Sequence, residues 1–406
     1  MKICFLAGSL AISGGTYVIF QHAAHLAACG HHVTIAAQEP FSVDTISWHD
    51  AARSLNCIGI EQARRHEFDV VIATWWKTAL ALPSFNAARY AYFVQSIESR
   101  FYPIDEGPLR RLIDATYLLP INFVTEARWI KDHLASDFGQ SASLVRNGIR
   151  KDIYSQDVAP IEERTEGSPR ILVEGHFRVS FKNTALAISL ARRAGAKDVW
   201  LLTGSPIDWV PGVRRIFSQV PIDVAARVYR SCDVLVKLST VEGMFGPPLE
   251  MFHCGGTAIV LDVSGHDEYI RHMENAIVVP MRDRAGALDA ISSIIRDGRL
   301  LRSLKEGAKA TSARWPSWAK SSAQFERWVA SLESAPKSNH FEVTELVNTA
   351  FQEYDRDERR RLAANPWVSW RYGAYARLAR LPPRALSLLE NLNAILEVSL
   401  PPREIR

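Results

Sequence analysis

The chain has 406 residues, of which 47% are hydrophobic and 23% charged, with a formal net charge of +4 at pH 7. That length supports two or three domains with full cores, and the composition is that of an ordinary folded globular protein. So small a charge gives no general case for nucleic-acid binding, and no stretch approaches the roughly 18 consecutive apolar residues of a membrane span. The five cysteines, Cys4, Cys29, Cys57, Cys232 and Cys254, are scattered without a CxxC spacing. They read as buried thiols in a reducing, cytoplasmic setting, and not as disulfides or a zinc site.

Lys2–Ala7 reads as a first β-strand, because the apolar run of Met1–Gly8 is too short for a signal peptide and Gly8 to Gly15 interrupts it. Further strands are expected at His32–Ala37, Asp69–Thr74, Tyr90–Gln95, Ile121–Thr125 and Ser143–Arg146, with helical patterns such as Thr16–Cys29 and Ala127–Ser136 between them. Strands alternating with helices imply a parallel sheet covered on both faces. A polar stretch from Asn147 to Pro169, with Asn147-Gly148, Pro160 and Gly167, reads as a linker. The alternation then restarts. Arg170–Glu174, Val199–Thr203, Val234–Lys237, Ala258–Asp262 and Ala276–Val279 read as strands. Thr184–Ala194, Val224–Ser231 and Leu249–Cys254 read as helices, and Trp315–Leu332 as a long closing helix. Two doubly wound domains place ligands at the carboxyl ends of their strands. That inference concerns fold and leaves the chemistry open.

The chemistry is concentrated in Thr240-Val241-Glu242-Gly243-Met244-Phe245-Gly246-Pro247-Pro248-Leu249-Glu250. Gly243 and Gly246 let backbone approach a ligand, and Pro247 and Pro248 suit a first helical turn. The free N–H groups of that turn form a positive pole for hydroxyls or phosphates. Glu242 and Glu250 bracket the loop, and a carboxylate is a good acceptor for sugar hydroxyls. Upstream, Gly175 to Thr184 joins a strand to a helix and carries Arg178 and Lys182. Fixed cations there suit a phosphate-bearing ligand.

The Glu-x7-Glu spacing, Tyr229 to Val234 before it, and Glu250 to Gly256, Val263 to Ile270 and Glu274 to Pro280 after it resemble glycosyltransferase family 4. The resemblance runs through most of residues 1 to 332. It implies a retaining enzyme of the α/β class with GT-B architecture, that is, two facing Rossmann-like doubly wound parallel-sheet domains, here with a helical C-terminal extension. It divides the chain into an acceptor domain (1–148), a linker (149–169), a nucleotide-sugar donor domain (170–313), a closing helix (314–335) and a basic, aromatic extension (336–406). In the family's pattern Glu250 holds the nucleotide ribose and Glu242 lies near the donor sugar. Backbone of Gly243, Met244, Phe245 and Gly246 holds that sugar, while Lys182 and Arg178 clamp the diphosphate. The family's usual arginine directly after the glycine is here His176. Gly15, after Gly14, resembles the glycine loop beside the diphosphate, and Gly204 is expected to line the same cleft. A nucleotide-diphosphate sugar is then a co-substrate, and no cofactor or metal is expected, since no DxD-type metal site is evident.

In the first half, Gln95 stands where the family often has a histidine. Gln95, Glu98 and Phe101-Tyr102-Pro103 resemble a subgroup associated with rhamnan and other bacterial surface polysaccharides. This makes dTDP-rhamnose the leading donor, with Gln95 and Glu98 contacting sugar hydroxyls. Equally, Gln95 satisfies a strand end and Glu98 starts a helix. Trp75 and Trp76 either stack on an acceptor sugar or cap the core, and His22 and His25 are assigned no role. Arg359 to Leu389 contains seven arginines and no acidic residue, with Trp367, Trp370, Tyr372 and Tyr375 among them. Three readings stand for it: peripheral contact with an anionic membrane carrying a lipid-linked acceptor, packing on the first domain, or a subunit contact. No nucleic-acid module accompanies it. The remaining alternatives are another GT-B reaction, such as sugar-nucleotide epimerisation, and a catalytically silent binding subunit of a polysaccharide assembly complex. An NAD-dependent oxidoreductase is disfavoured, because the first turn lacks the GxGxxG spacing.

Overall fold

The computed structural model describes residues 1–177, 179–365, 367, 368, 389, 391–396 and 398. The chain divides into two compact units. The first gathers Met1–Gly148 with the described part of Trp318–Arg380, the second Ile149–Ser317 with the described part of Leu381–Arg406.

The first unit is built on a seven-stranded parallel sheet. Its strands are β1 (Lys2–Ala7), β2 (His32–Ala37), β3 (Asn56–Gly59), β4 (Glu67–Ala73), β5 (Asn86–Val94), β6 (Asn122–Thr125) and β7 (Ala142–Leu144). They lie in the order β3-β2-β1-β4-β5-β6-β7, with Leu6 of β1 level with both Ala36 and Ala73. β1 and the ends of β4 and β5 are buried on both faces, as expected of apolar runs covered by helices on each side. One covering helix, Trp318–Ser331, arrives from far along the chain. Its Phe325 stacks on His22 with ring centroids 4.1 Å apart and also meets Phe5 and Phe93. Burial pushes the His22 imidazole down to about 3, with His25 adding to the shift, so His22 packs as a neutral ring. The helix His340–Ala364 turns Val343, Val347 and Ala350 inward and packs on the helix Gly107–Ala115. Arg111 pairs with Asp357 across that contact at 2.8 Å.

The second unit carries a six-stranded parallel sheet. Its strands are β8 (Ile171–Glu174), β9 (Val199–Thr203), β10 (Arg215–Ser218), β11 (Val234–Lys237), β12 (Thr257–Leu261) and β13 (Ala276–Val279), in the order β10-β9-β8-β11-β12-β13. Ala394 and Val398 join its apolar core. The edge strands β3 and β10 go beyond the sequence reading. Each is four residues long and half exposed, so neither carries the apolar run that marks the central strands. Among the described residues no helix is long and apolar enough to cross a membrane.

Candidate active site

In each sheet the strand order reverses at one point, between β1 and β4 in the first and between β8 and β11 in the second. Such reversals open a crevice at the carboxyl ends of the strands. In the second unit that position is occupied by charge. Glu174 is the last residue of β8 and Lys237 the last of β11. Lys237 is 1% exposed. Its ammonium contacts the Glu174 carboxylate and lies 3.7 Å from Glu242 Oε1. Lys182 Nζ donates to both oxygens of Glu242, at 2.8 and 2.9 Å. Two lysines and two glutamates from four segments thus form one ionic cluster.

Local sequence explains how the loops arrive there. β8 runs into Gly175 at φ +153°, where a Cβ would sit 2.5 Å from Thr184 Oγ1, so only glycine fits. A 3₁₀ turn, Ser180–Lys182, is ended by Asn183 at φ +49°. The Asn183 amide donates to the Leu238 carbonyl at 2.9 Å, and Thr240 N–H donates to the Phe181 carbonyl at 2.8 Å. These bonds stitch the Lys182 turn to the Glu242 loop. The helix Gly246–His253 begins with Gly246, Pro247 and Pro248, where missing N–H groups cost least. Tyr269 donates its hydroxyl to the Phe245 carbonyl, and the Phe245 ring is fully buried. Gly243, Met244 and Gly246 are half exposed. A Cβ at Gly246 would meet nothing within 4 Å, so packing does not demand glycine there. Arg178 lies outside the described residues.

The electrostatics separate the two glutamates. Burial pushes the Glu242 carboxyl up, but Lys182 and Lys237 together outweigh it and hold it below the ordinary carboxylate range. Burial lowers Lys182, with Glu242 offsetting part of the effect. Burial also works against the Lys237 ammonium, yet Glu174 and Glu242 outweigh it and raise its proton affinity. Glu250, partly buried in the helix Gly246–His253, is pushed up to about 7, chiefly by burial of its carboxyl and then by the charge of Glu174. Hydrogen bonds from Tyr229 and Tyr154, and the charge of Lys237, offset part of that rise. Glu242 is therefore an ionised carboxylate at neutral pH, and Glu250 is divided between its two forms.

Gly204 serves a neighbour. A Cβ there would lie 2.2 Å from His176 Cε1, so the bare glycine seats the His176 imidazole. Ser205 Oγ accepts from the Phe177 N–H at 3.1 Å, which ties the same two loops together.

The first unit shows a parallel arrangement without the charge. After β1, Gly8 is so close to Trp75 that a Cβ would sit 2.6 Å from Trp75 Cε3. The Lys77 ammonium lies 4.7 Å from the centre of that ring. Gly15 faces the Gln95 amide, with a Cβ 3.3 Å from Oε1. Trp75, Gly15 and Gln95 are half exposed. For two residues the sequence left a sugar contact and a packing role equally open, and their burial favours packing. Glu98 is 4% exposed, and its Oε2 accepts from the Trp76 N–H at 2.7 Å and the Tyr92 hydroxyl at 2.8 Å. It starts the 3₁₀ turn Glu98–Phe101 and braces the ends of β4 and β5 from inside, so it is not an exposed contact for sugar hydroxyls. Trp76 is likewise buried, its indole N–H donating to Tyr102, and caps the core.

The structure brings Lys182 and Glu242 together on the second unit, with Glu250 beside them, and Gly15 and Gln95 together on the first. The sequence reading missed Glu174, Lys237, Tyr229 and Tyr154 as site residues. Lys237 carried a usable signal, since it is a lone charge closing the apolar strand Val234–Lys237. Glu174 carried a weaker one, as the acid before Gly175. Among the described residues no three His, Cys, Asp or Glu side chains gather where they could hold a metal ion.

Residues 215–311 match the family model described as glycosyl transferases group 1. The chain is 24% identical over 242 residues to the O-antigen biosynthesis protein RfbC of Myxococcus xanthus, an alignment covering 57% of this chain and 18% of that protein. The chain thus spans less than a fifth of that relative's length. Among solved structures, the sucrose-phosphate synthase of Thermosynechococcus elongatus is similar at a TM-score of 0.64 and 15% identity, over 82% of this chain and 100% of that one. Anabaena Alr3699/HepE, solved in complex with UDP and glucose, is similar at 0.64 and 13%, again over 82% and 100%. At such identities the likeness is one of fold. The chain therefore has the GT-B fold of two Rossmann-like parallel-sheet units, and residues 215–311 of its second unit are similar to the glycosyl transferases group 1 family.

Proposed function

We propose that this protein is a retaining glycosyltransferase that moves a sugar from a nucleotide-diphosphate donor to a glycan or lipid-linked acceptor in surface-polysaccharide synthesis. The observation that carries the reading is the Lys182–Glu242 ion pair at the strand reversal of the second unit, with Glu250 one helical turn and a loop away. In this reading Glu250 takes the ribose hydroxyls. Lys182, the helix start at Gly246 and Arg178 meet the diphosphate, and Glu242 stands beside the donor sugar. The open space over Gly246 leaves room for that sugar. Cationic side chains and helix polarity take the charge of the leaving group, so no metal is needed.

The acceptor hydroxyl attacks the anomeric carbon on the face the nucleotide leaves. The C–O bond to the acceptor forms as the bond to the diphosphate breaks, and a leaving phosphate oxygen takes the acceptor's proton. Gln95 and Trp75 of the first unit, both partly exposed, are the acceptor contacts in this reading. The leading donor is dTDP-rhamnose, from the resemblance of the Gln95–Pro103 segment. A nucleotide-sugar donor accords with the UDP and glucose bound by the Anabaena protein, and a glycan product with the Myxococcus relative being an O-antigen biosynthesis protein. Proton NMR of the product tests the mechanism: retention of the donor's anomeric configuration is expected, and inversion refutes it. Glu242→Gln is expected to lower kcat by about 10²–10³.

The acceptor reading includes a peripheral membrane contact. Arg359 and Arg360 are exposed, Trp367 is 80% exposed, and the rest of the 369–389 segment lies outside the described residues apart from Leu389. Flotation with phosphatidylglycerol vesicles tests it. The full chain should float, and Arg359→Glu with Arg360→Glu should float less; a full chain that stays with the unbound fraction rejects the contact.

A further inference from the structure

Lys182 and Lys237 both reach Glu242, but they are different kinds of cation. Lys182 stands on the short 3₁₀ turn after Gly175, and its side chain is 22% exposed. Its flexible stem and open side permit another partner. Lys237 ends a strand that is buried throughout, one step beyond the paired residues Val236 and Val173. It contacts the Glu174 carboxylate, donates to the Glu174 carbonyl at 3.4 Å, and has Glu242 Oε1 at 3.7 Å. A buried ammonium persists only where partners of opposite charge hold it, and here two do.

We propose that Lys237 is a positioning residue of the donor site: as the standing counter-charge of Glu242, it keeps that carboxylate ionised and in place when Lys182 leaves it for the donor's diphosphate. The proposal rests on the nucleotide-sugar reading and adds a division of labour to it. Without Lys237, turning Lys182 to a diphosphate would leave Glu242, 7% exposed, as a buried charge with no cation against it. Such a group takes up a proton instead. A protonated Glu242 beside the donor sugar could not stabilise the positive charge that develops at the anomeric carbon. With Lys237 beneath it, the carboxylate keeps one cation throughout. The other ionisable groups facing this pair are Glu250 from the following helix and Tyr269 from beyond β12.

The test reads Glu242 directly. Protein labelled with carboxyl-¹³C glutamate is titrated by NMR, with the Glu242 signal assigned by its loss in Glu242→Gln. The comparison is wild type, Glu174→Gln alone, and Lys237→Met with Glu174→Gln. The double variant removes both members of the buried pair, so no lone charge is left behind to unfold the sheet; melting curves check its fold. Wild type and Glu174→Gln should titrate below the ordinary carboxylate range. In the double variant the midpoint should rise by about one pH unit or more, and the acid limb of kcat/KM should rise with it. Saturating UDP, and separately TDP, should leave Glu242 ionised at pH 7 in wild type and protonate it in the double variant. Equal midpoints in wild type and double variant overturn the proposal, as does a rise already complete in Glu174→Gln. If wild type neither binds nor turns over a nucleotide sugar, the glycosyltransferase reading falls, and the apo titration still decides the role of Lys237.

Discussion

Replacing Glu98 by glutamine should make the first unit more stable in alkaline solution. The Glu98 carboxyl is buried with both described bonds made to Oε2, from Trp76 N–H and the Tyr92 hydroxyl. Burial pushes it up from 4.5 to about 8, and the two hydrogen bonds offset only part of that rise. The native state therefore holds a proton on Glu98 that the unfolded chain has lost above about pH 4.5. A raised carboxyl works against folding as pH climbs: its contribution is intact below 4.5 and is lost between 4.5 and 8. The full loss is about 4–5 kcal/mol as an upper bound, a large share of ordinary domain stability. Glutamine is neutral at every pH, and its Oε1 can accept both bonds, so Glu98→Gln escapes this loss. Native-state hydrogen exchange of β4 and β5 amides, corrected for intrinsic rates, reads the local opening free energy. At pH 5 the variant should match wild type within about 1 kcal/mol, the scale of one altered hydrogen bond. At pH 8.5 it should be more stable by several kcal/mol. A difference between the two proteins that does not change with pH would refute the reasoning.

Two further outcomes are expected. Because Glu250 changes charge near pH 7 and ribose hydroxyls donate best to a carboxylate, calorimetric affinity for nucleoside diphosphates should rise as pH rises through 7 and be weaker and flat in Glu250→Gln; parallel profiles would separate Glu250 from the ribose. Gly204→Ala puts a Cβ 2.2 Å from His176 Cε1, and displacing the imidazole should cost about 1–3 kcal/mol in thermal unfolding and raise the donor KM; an unchanged melting curve would mean that the ring yields freely.

Much of the architecture could be read from apolar runs. The inner strands β1, β4, β8, β11 and β12 are largely buried, and their sequences are mostly runs of Ile, Leu, Val, Ala and Phe. The edge strand Asn56–Gly59 has only Cys57 and Ile58 as apolar content, which a turn would also tolerate. The helix Trp318–Ser331 could be located, but nothing in its sequence says that Phe325 stacks on His22 three hundred residues earlier. At the site, the Glu242–Glu250 block was legible because glycine, proline and carboxylate each have a local reason to stand there. The Lys182–Glu242 contact needed both loops folded. Glu98 stayed ambiguous for a physical reason: beside a polar Gln95 and an aromatic segment it reads equally as a sugar contact or a helix start, and its bonds turn inward to Trp76 and Tyr92. Sequence shows that a carboxylate is present; only packing shows which way it faces.

The central claim is that the second unit holds the nucleotide half of a sugar donor through Glu250. Thermal unfolding of wild type and Glu250→Ala with UDP, GDP, ADP and TDP tests it most directly. A ligand that binds only the native state adds about 2.7 kcal/mol of apparent stability at a hundredfold excess over its Kd. The account predicts that one diphosphate raises the Tm of wild type and not of the variant, and TDP in that role would favour a rhamnose donor. No shift with any of the four, or equal shifts in both proteins, would contradict it.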